Sequence, residues 1–404
     1  MTAVEPKKIA PPATAIGPLE AAVVRPANFR FGAVDFAREL HPTATLVAED
    51  LTPSLGPLAA FVGTFTGNGF NTIFRPQSAA TPTSPQGGDN VLELNLTSET
   101  LSFSASLGSV PNRGMVQGDI FLNGVPYLQT ISDVTNPSQP VGIHFEPGLW
   151  MAVPSTTEPA EGATLVRMGS IPHGTTITAQ GTSSTAPGKP TIPQVDITPF
   201  FNGGINPGGK QPFPSQTANN PNTARIPQDL GPFIAAGTIT QAILDDPNTV
   251  LRNAIASQNI VSTTTITVDT TAPSPLFGGG ADNIAFLLGD VAALANPAPA
   301  GPNAQTTRMK STFWIETVRH KIVLPPVGPG HPVVLHPEPH PEGLPVPRFV
   351  VTPKIPIIKP RTLTFDSTQI QYSQEVFLNF NGLTWPHVSV ATLVPHAPIP
   401  VPWK

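Results

Sequence analysis

The sequence contains no cysteine, so disulfides, thiolate zinc sites, iron–sulfur clusters and a cysteine nucleophile are excluded. Charged residues make up only 12 % of the 404 residues, and the net charge of −5 is not concentrated in runs. Nucleic acids and anionic membranes are bound by clustered Lys and Arg. The composition therefore argues against both kinds of partner.

Long apolar runs are also missing. No stretch reaches the length of about twenty apolar residues that a membrane-spanning helix needs. The first twenty residues have no continuous apolar core of the kind found in signal peptides. We therefore expect a soluble, cytoplasmic protein without a membrane span, and leave secretion by another route open.

Proline, by contrast, is abundant, with 52 residues. Together with Gly and Asn, the prolines bound short runs that are rich in β-branched and aromatic residues and alternate in polarity. This pattern is typical of many short, half-buried strands joined by ordered loops. One run contains Asn123-Gly124, which predicts a hairpin turn. The expected fold is mainly β.

The chain divides into segments of different composition. We expect an extended arm over residues 1–50, a single elaborated domain over 51–393 and a Pro-rich tail over 394–404. Within the domain, residues 184–235 read as an irregular insertion and 325–360 as a Pro-rich strap. Residues 245–258 predict one helix, with Asp246 as the N-cap and Pro247 at the first position. The insertions have too little apolar content for a core of their own, so we expect them to wrap the domain.

Three histidines are candidates for a site. In "LTWPHVSVATL", alternation places His387 on the same strand face as Ser389, Ala391 and Leu393. In "IHFEPGLW", His144 lies two residues from Glu146 on one face, where the two side chains could orient each other or share a proton. His173 follows a proline in "SIPHGT". Both His144 and His173 are either groups over a ligand or packed core or loop histidines, and the sequence leaves both interpretations open.

Familiar catalytic signatures are absent. The chain has no G-x-S-x-G, no P-loop and no H-E-x-x-H motif, and "GNGFNT" lacks the third glycine of a dinucleotide fingerprint. No nucleophile is visibly paired with a base. Whether the protein is an enzyme therefore stays open.

Two stretches resemble the ends of a known family. "LGPLAAFVGTFTGNGFNTI" and "IQYSQEVFLNFNGLTWPHVSVATL" are similar to the opening and closing regions of the nitrobindin family, the fatty-acid-binding-protein-like haem barrels. The similarity rests on Gly63-Thr64-Phe65, on Tyr372 and on Pro386-His387. The chain departs from the family in having Phe65 where Trp is usual, and in long additions between the two ends.

The resemblance implies an antiparallel calycin-like β-barrel elaborated by long loops, one short helix and Pro-rich arms. It also implies that haem or another apolar small molecule is the ligand, with His387 binding the haem iron and His144 or His173 on the opposite side. Tyr372, Phe65 and Trp385 would line the ligand or pack in the core. The implied chemistry is redox or isomerase chemistry on small oxidants such as peroxynitrite.

An alternative belongs to another class of function. The strap and the tail are extended segments of preset conformation, which lose little entropy when they dock along a partner. They would suit a structural, self-assembling protein that forms a homo-oligomer through its Pro-rich arms and holds no ligand in the barrel.

Overall fold

The fold is described from a computed structural model, which covers residues 53–79, 83, 85, 88, 90–202, 209–271, 279–288, 303–337 and 344–403. Ten strands of this part form a closed antiparallel barrel, as the sequence predicts for the fold class. Each strand pairs with the next one along the chain, and the last closes the ring on the first. The predicted arm over residues 1–50 lies outside the described residues. The strands are β1 (Gly63–Pro76), β2 (Asn90–Phe103), β3 (Ile120–Asp133), β4 (Val141–Val153), β5 (Thr164–Ile171), β6 (Thr175–Pro187), β7 (Ile260–Asp269), β8 (Gln305–Leu324), β9 (Arg361–Phe380) and β10 (Leu383–Pro395).

Shorter elements accompany the barrel. The described part contains four short α-helices: α1 (Gly231–Ala236), α2 (Gln241–Asp245), α3 (Thr249–Ile255) and α4 (Ala285–Leu288). Within this part, no helix combines the length and the apolar character that crossing a bilayer requires. The remaining elements are the 3-10 helices Gly56–Phe61 and Pro214–Gln216 and the short strands Val110–Asn112, Thr156–Thr157, Ala160–Glu161, Phe200–Phe201, Arg225–Ile226, Gly280–Asn283, Val333–Leu335, Phe349–Val351 and Ile399–Val401.

One end of the barrel interior is filled with side chains. The 3-10 helix Gly56–Phe61 contributes Leu58 and Phe61, both fully buried. The ring of Phe61 stacks on Phe103 at 4.5 Å between centroids and meets Trp150 edge-on at 5.6 Å. Aromatic side chains bury large areas, and edge-on and offset contacts are their favoured geometries. This end of the barrel therefore has a solid apolar core and no room for a ligand.

The outer wall of the barrel, formed by the outward faces of β1, β2, β8 and β10, is covered by the inserted segment, the described residues 188–202 and 209–259 between β6 and β7. Its scattered apolar residues and its three helices pack on this wall. The expectation that these strands are half-buried is wrong for this wall, because the insertion covers their outer face. The contributing wall residues are Phe70, Phe74, Leu92, Leu94, Trp314, Val318, Val388 and Val390.

Two local expectations differ from the structure. Helix α3 is shorter than the predicted 245–258, and Asn248, not Asp246, is its N-cap residue. Asp246 instead accepts hydrogen bonds from the backbone N–H groups of Val195 and Asn248, so it ties the turn before α3 to the inserted segment. Asn123-Gly124 lies inside β3 and not in a turn, paired with β4. A side chain at Gly124 would collide with the Trp150 carbonyl, which is why glycine is needed there.

The Pro-rich strap and the tail join in a small sheet. Phe349–Val351 pairs with Val333–Leu335 on one side and, in parallel, with Ile399–Val401 of the tail on the other. The apolar side chains of this sheet pack on Ile322 and Leu324 at the end of β8. The strap and the tail are thus held within one chain, and assembly through them stays a prediction.

A buried carboxyl on the outer wall makes stability depend on pH. Glu316 on β8 accepts a hydrogen bond from Gln369, and its other oxygen has no partner in the described part of the chain. Burial raises its pKa from 4.5 to about 7, although Gln369 and Lys189 oppose the shift. The folded state thus binds this proton more tightly than the unfolded state does. The stability that this difference in proton binding gives to the folded state is fully present below the pKa of Glu316 in the unfolded chain. It is lost as the pH rises through the pKa of Glu316 in the folded state.

We therefore expect Glu316→Gln to be more stable than the wild type at about pH 8, by at most about 3 kcal/mol, and to differ little at about pH 4. Urea denaturation at the two pH values measures the difference. Asp282→Asn, which changes an exposed carboxylate, should show no comparable pH dependence. A constant difference between Glu316→Gln and the wild type at both pH values would contradict the buried-acid explanation.

Candidate functional site

A cavity of about 710 Å³ occupies the end of the barrel away from the 3-10 helix Gly56–Phe61. This volume lies within the usual range for small-molecule pockets, about 300–1,000 Å³. Most of its surface is apolar, and we define the cavity floor as His144, Gln129, Tyr372 and Gln374. Further polar side chains, among them Arg75, Glu93 and His387, also line the cavity. The apolar lining includes the side chains of Ile73, Ile131, Ile143, Ile171, Val376 and Leu378.

His387 enters this cavity from β10, on the same face as Ser389. Pairing of β10 with β1 ends at Val388, opposite Thr72, because the next position that could pair is Pro386, which has no N–H to donate. The ring of His387 takes over: its Nε2 accepts a 3.1 Å hydrogen bond from the N–H of Phe74 in one tautomer and donates to the Phe74 carbonyl, 2.9 Å away, in the other. Because Pro386 interrupts the pairing of β10 with β1, the ring of His387 contacts the Phe74 backbone in its place and is held at the start of β10.

The protonation of His387 follows from its surroundings. Burial lowers its pKa to about 4, against the opposing effect of the hydrogen bond to Phe74. The imidazole is therefore neutral at physiological pH. When Nε2 donates its hydrogen to the Phe74 carbonyl, the lone pair of the neutral ring is on Nδ1.

His144 and His173 line the same cavity from β4 and from the turn between β5 and β6. Their ring centroids are 6.3 Å apart. Partial desolvation lowers the pKa of His173, and the proximity of His144 adds to this effect. In the part of the chain that the structure describes, no group of three or more His, Asp or Glu side chains is arranged to hold a metal ion by itself.

The side chain of His144 contacts a buried ion pair, which is formed by Glu146 and Arg167. Its Nε2 lies 3.1 Å from Oε2 of Glu146, and Oε1 of Glu146 accepts a 2.8 Å hydrogen bond from Arg167. The hydroxyl of Tyr127 also donates to Oε1 of Glu146. Burial alone would raise the pKa of Glu146, but Arg167 and His144 together lower it to about 2. Glu146 is therefore a carboxylate, although it is fully buried.

A second buried carboxyl, that of Glu99, has its pKa shifted in the opposite direction to that of Glu146. Glu99 on β2 accepts a 2.5 Å hydrogen bond from the hydroxyl of Tyr372, which belongs to β9. Gln129 donates to the same phenol oxygen at 3.0 Å. Tyr372 can reach across to Glu99 because Ala391 and Gly69 lie between them in the sheet and leave space. Burial raises the pKa of Glu99 and outweighs the hydrogen bonds that oppose it.

The structure brings four of the six sequence-predicted residues to one place. His387, His173, His144 and Tyr372 all line the cavity. Phe65 does not: it lies in the filled end, where its ring meets Phe103 edge-on. Trp385 also lies outside the cavity lining, stacked on Phe380 at 4.6 Å between ring centroids and packed among the outer-wall residues.

Sequence reasoning missed the buried polar residues beneath the cavity, namely Glu99, Tyr127, Gln129, Arg167 and Gln374. A signal for them exists in the strands. The inward positions of β2 change from polar at Glu93 to Glu99 to apolar at Leu101 and Phe103, and β10 changes in the same way from His387 to Leu393. Such a change along one parity of a strand indicates a barrel with one polar, ligand-accepting end and one filled end.

Comparisons with known proteins add little to this picture. No model of a known protein family matches the chain, and no curated protein is similar to it in sequence. A solved structure to which it is similar is the crystal structure of Rv2717c from M. tuberculosis, with a TM-score of 0.32 and 10 % identity over 86 % of this chain and 100 % of that one. A similarity at this level carries no argument, so the functional case rests on the geometry of the site.

Proposed function

We propose that this chain is a ligand-binding barrel whose cavity takes haem or another apolar small molecule, and that His387 is the ligand of the haem iron. The observation that carries the proposal is the meeting of three histidines in one cavity. They come from distant parts of the sequence, and His387 is neutral at physiological pH. The barrel itself is compatible with ligand binding.

The residues of the cavity fit haem in three respects. Haem iron takes a neutral imidazole nitrogen, and burial keeps His387 in that form. The isoleucines and other apolar side chains of the walls suit the faces of a flat macrocycle. Arg75, half-exposed and also lining the cavity, is a cation available to a carboxylate, although Glu93 pairs with it at 2.9 Å.

His387 would hold the iron, and His144 or His173 would be the further imidazole beside the ligand, as the family resemblance implies. The bound iron would supply the redox or isomerase chemistry on small oxidants that the family resemblance implies. The chain's own part is to exclude water with its apolar walls and to place imidazoles beside the ligand. Another apolar ligand would use the same walls without the bond to His387.

Titration of the purified protein with haem, followed by its absorption spectrum, tests the proposal. We expect a sharp band that saturates at one haem per chain and is lost in His387→Ala, because that change removes the imidazole that would bind the iron. His396→Ala is a matched control: this exposed histidine follows the end of β10, lies 3.4 Å from the Thr66 hydroxyl and does not line the cavity.

The possible outcomes separate the ligands. An unchanged band in His387→Ala would remove that residue from the iron. Absence of a band in the wild type would rule out haem and leave another apolar ligand, to be tested by displacement of a fluorescent apolar probe from the cavity.

A further inference from the structure

The buried ion pair fixes the tautomer of His144. Glu146 is ionised and can only accept hydrogen bonds, so the nitrogen of His144 that contacts it, Nε2, must carry the hydrogen. Nδ1 of His144 then has its lone pair available to a ligand in the cavity. Arg167 and Tyr127 hold Glu146 in place from the other side. The arrangement is that of a histidine base oriented by a buried carboxylate.

A hydrogen-bond donor belongs to the same floor. Tyr372 lines the cavity and shares a 2.5 Å hydrogen bond with Glu99, whose pKa is raised by burial. The Tyr372 hydroxyl donates to Glu99 when that side chain is a carboxylate; the raised pKa of Glu99 favours its protonated form, in which the carboxyl can donate to the phenol oxygen instead and leave the hydroxyl hydrogen of Tyr372 to a ligand oxygen. Gln129 donates to the same phenol oxygen and makes that hydrogen a stronger donor.

The surroundings thus shift the pKa values of the two carboxyls in opposite directions, although both are buried beneath one cavity. Paired titratable groups whose surroundings push their pKa values apart mark an acid and a base. The carboxylate of Glu146 can stabilise positive charge that develops on His144, while Arg167 holds that carboxylate in place, and Glu99 contacts the hydroxyl of Tyr372. His144 and Glu99 are close enough for the charge of His144 to be one of the influences that oppose the rise in the pKa of Glu99.

We propose that the cavity floor is an acid–base site for small apolar ketones, in which Nδ1 of His144 removes a proton from the carbon next to the carbonyl group and Tyr372 donates a hydrogen bond to the carbonyl oxygen. The inference rests on the proposed function in one respect, that the cavity takes an apolar ligand. It does not require haem.

The step needs no further reactant. The C–H bond breaks, its proton goes to Nδ1 of His144, and its electron pair forms a carbon–carbon double bond while negative charge moves to the oxygen. That oxygen is stabilised by Tyr372, and the imidazolium by the carboxylate of Glu146. The proton then returns to the same carbon or to another carbon of the conjugated system, so the reaction class is proton exchange or isomerisation.

The charged and titratable groups around the pair suit this cycle. Glu146 and His173 lie beside His144, and Glu99 is near both His144 and Tyr372. Arg167 acts on Tyr372 as well, lowering its pKa against the larger, raising effect of burial. The ion pair of Glu146 with Arg167 adds no net charge beneath the floor, which suits a neutral ketone.

Hydrogen–deuterium exchange of phenylacetone in D₂O tests the proposal on the haem-free protein. NMR follows loss of the benzylic hydrogens at mildly alkaline pH and millimolar ketone. We expect the wild type to exchange them faster than buffer does. His144→Gln should lose about 100- to 10,000-fold of this acceleration and Tyr372→Phe about 100- to 1,000-fold. His396→Gln, on the surface, should match the wild type.

The result that overturns the proposal is a wild-type rate equal to that of buffer, or full acceleration in either variant of the floor. Circular dichroism and ketone-induced shifts of NMR signals confirm that the variants are folded and still bind the ketone. Failure of haem binding is distinguishable, because it appears in the absorption titration of His387→Ala and leaves the exchange rate of the haem-free protein unaffected.

Discussion

Replacing Arg167 with Met should destabilise the protein by about 3–5 kcal/mol, because it leaves the carboxylate of Glu146 buried without its cation. Arg167 is buried and donates hydrogen bonds to Glu146, Tyr127, Ser311 and Gln374. Denaturant unfolding followed by tryptophan fluorescence measures the loss. The cost should shrink as the pH falls, since an unpaired Glu146 has a raised pKa and gains its proton in the folded state.

The double variant Glu146→Gln with Arg167→Met is the matched control. It removes both charges, and the amide of Gln can still accept a hydrogen bond from Tyr127. We expect it to be more stable than Arg167→Met alone, because no uncompensated charge remains buried. If the double variant is as unstable as the single one, the loss comes from the volume and packing of Arg167 and not from its charge.

Much of the barrel could be predicted from the sequence, because strand signals are local. Alternating apolar residues between Pro, Gly and Asn mark most of the strands, and the sequential order of a meander needs no long-range information. Asn123-Gly124 shows the limit: the dipeptide fits a turn equally well, and only the close approach of β4 makes glycine necessary inside a strand. The sequence predicts that the inserted segment wraps the barrel but not which wall it covers, because its few apolar residues have no period of their own and are matched to that wall.

The site was predictable only in part for a related reason. His387 and His144 stand out through their own strands, and Tyr372 through the family resemblance alone. The ion pair beneath them joins β4 to β5, and the hydrogen bond of Tyr372 joins β9 to β2. Such contacts depend on how the ring of strands closes, which no local pattern records. Trp385 and Phe65 are predicted to line the site or to pack in the core, and the structure places both in the core. An aromatic residue that is close in sequence to a candidate site residue therefore need not line the site.

Truncating Trp314 to Ala should cost about 3–5 kcal/mol of unfolding free energy. This side chain projects outward from β8, yet it is almost completely buried, because the inserted segment covers it. Removing it leaves a void between the barrel and residues such as Leu251 and Ile255 of α3, and loosens the segment from the wall. We expect lower stability in urea, with faster proteolysis within residues 188–259 than in the wild type.

Phe145→Ala supplies the comparison. Phe145 also projects outward from a barrel strand, but it is 53 % exposed and the inserted segment does not cover it. Its truncation should cost no more than about 0.5 kcal/mol and leave proteolysis of residues 188–259 unchanged. If Trp314→Ala and Phe145→Ala lose the same unfolding free energy, the inserted segment covers the barrel without contributing to its stability. A large loss for Trp314→Ala alone would mean that the barrel and its insertion share one core, so the outer wall helps to hold the strands that carry His387 and Tyr372.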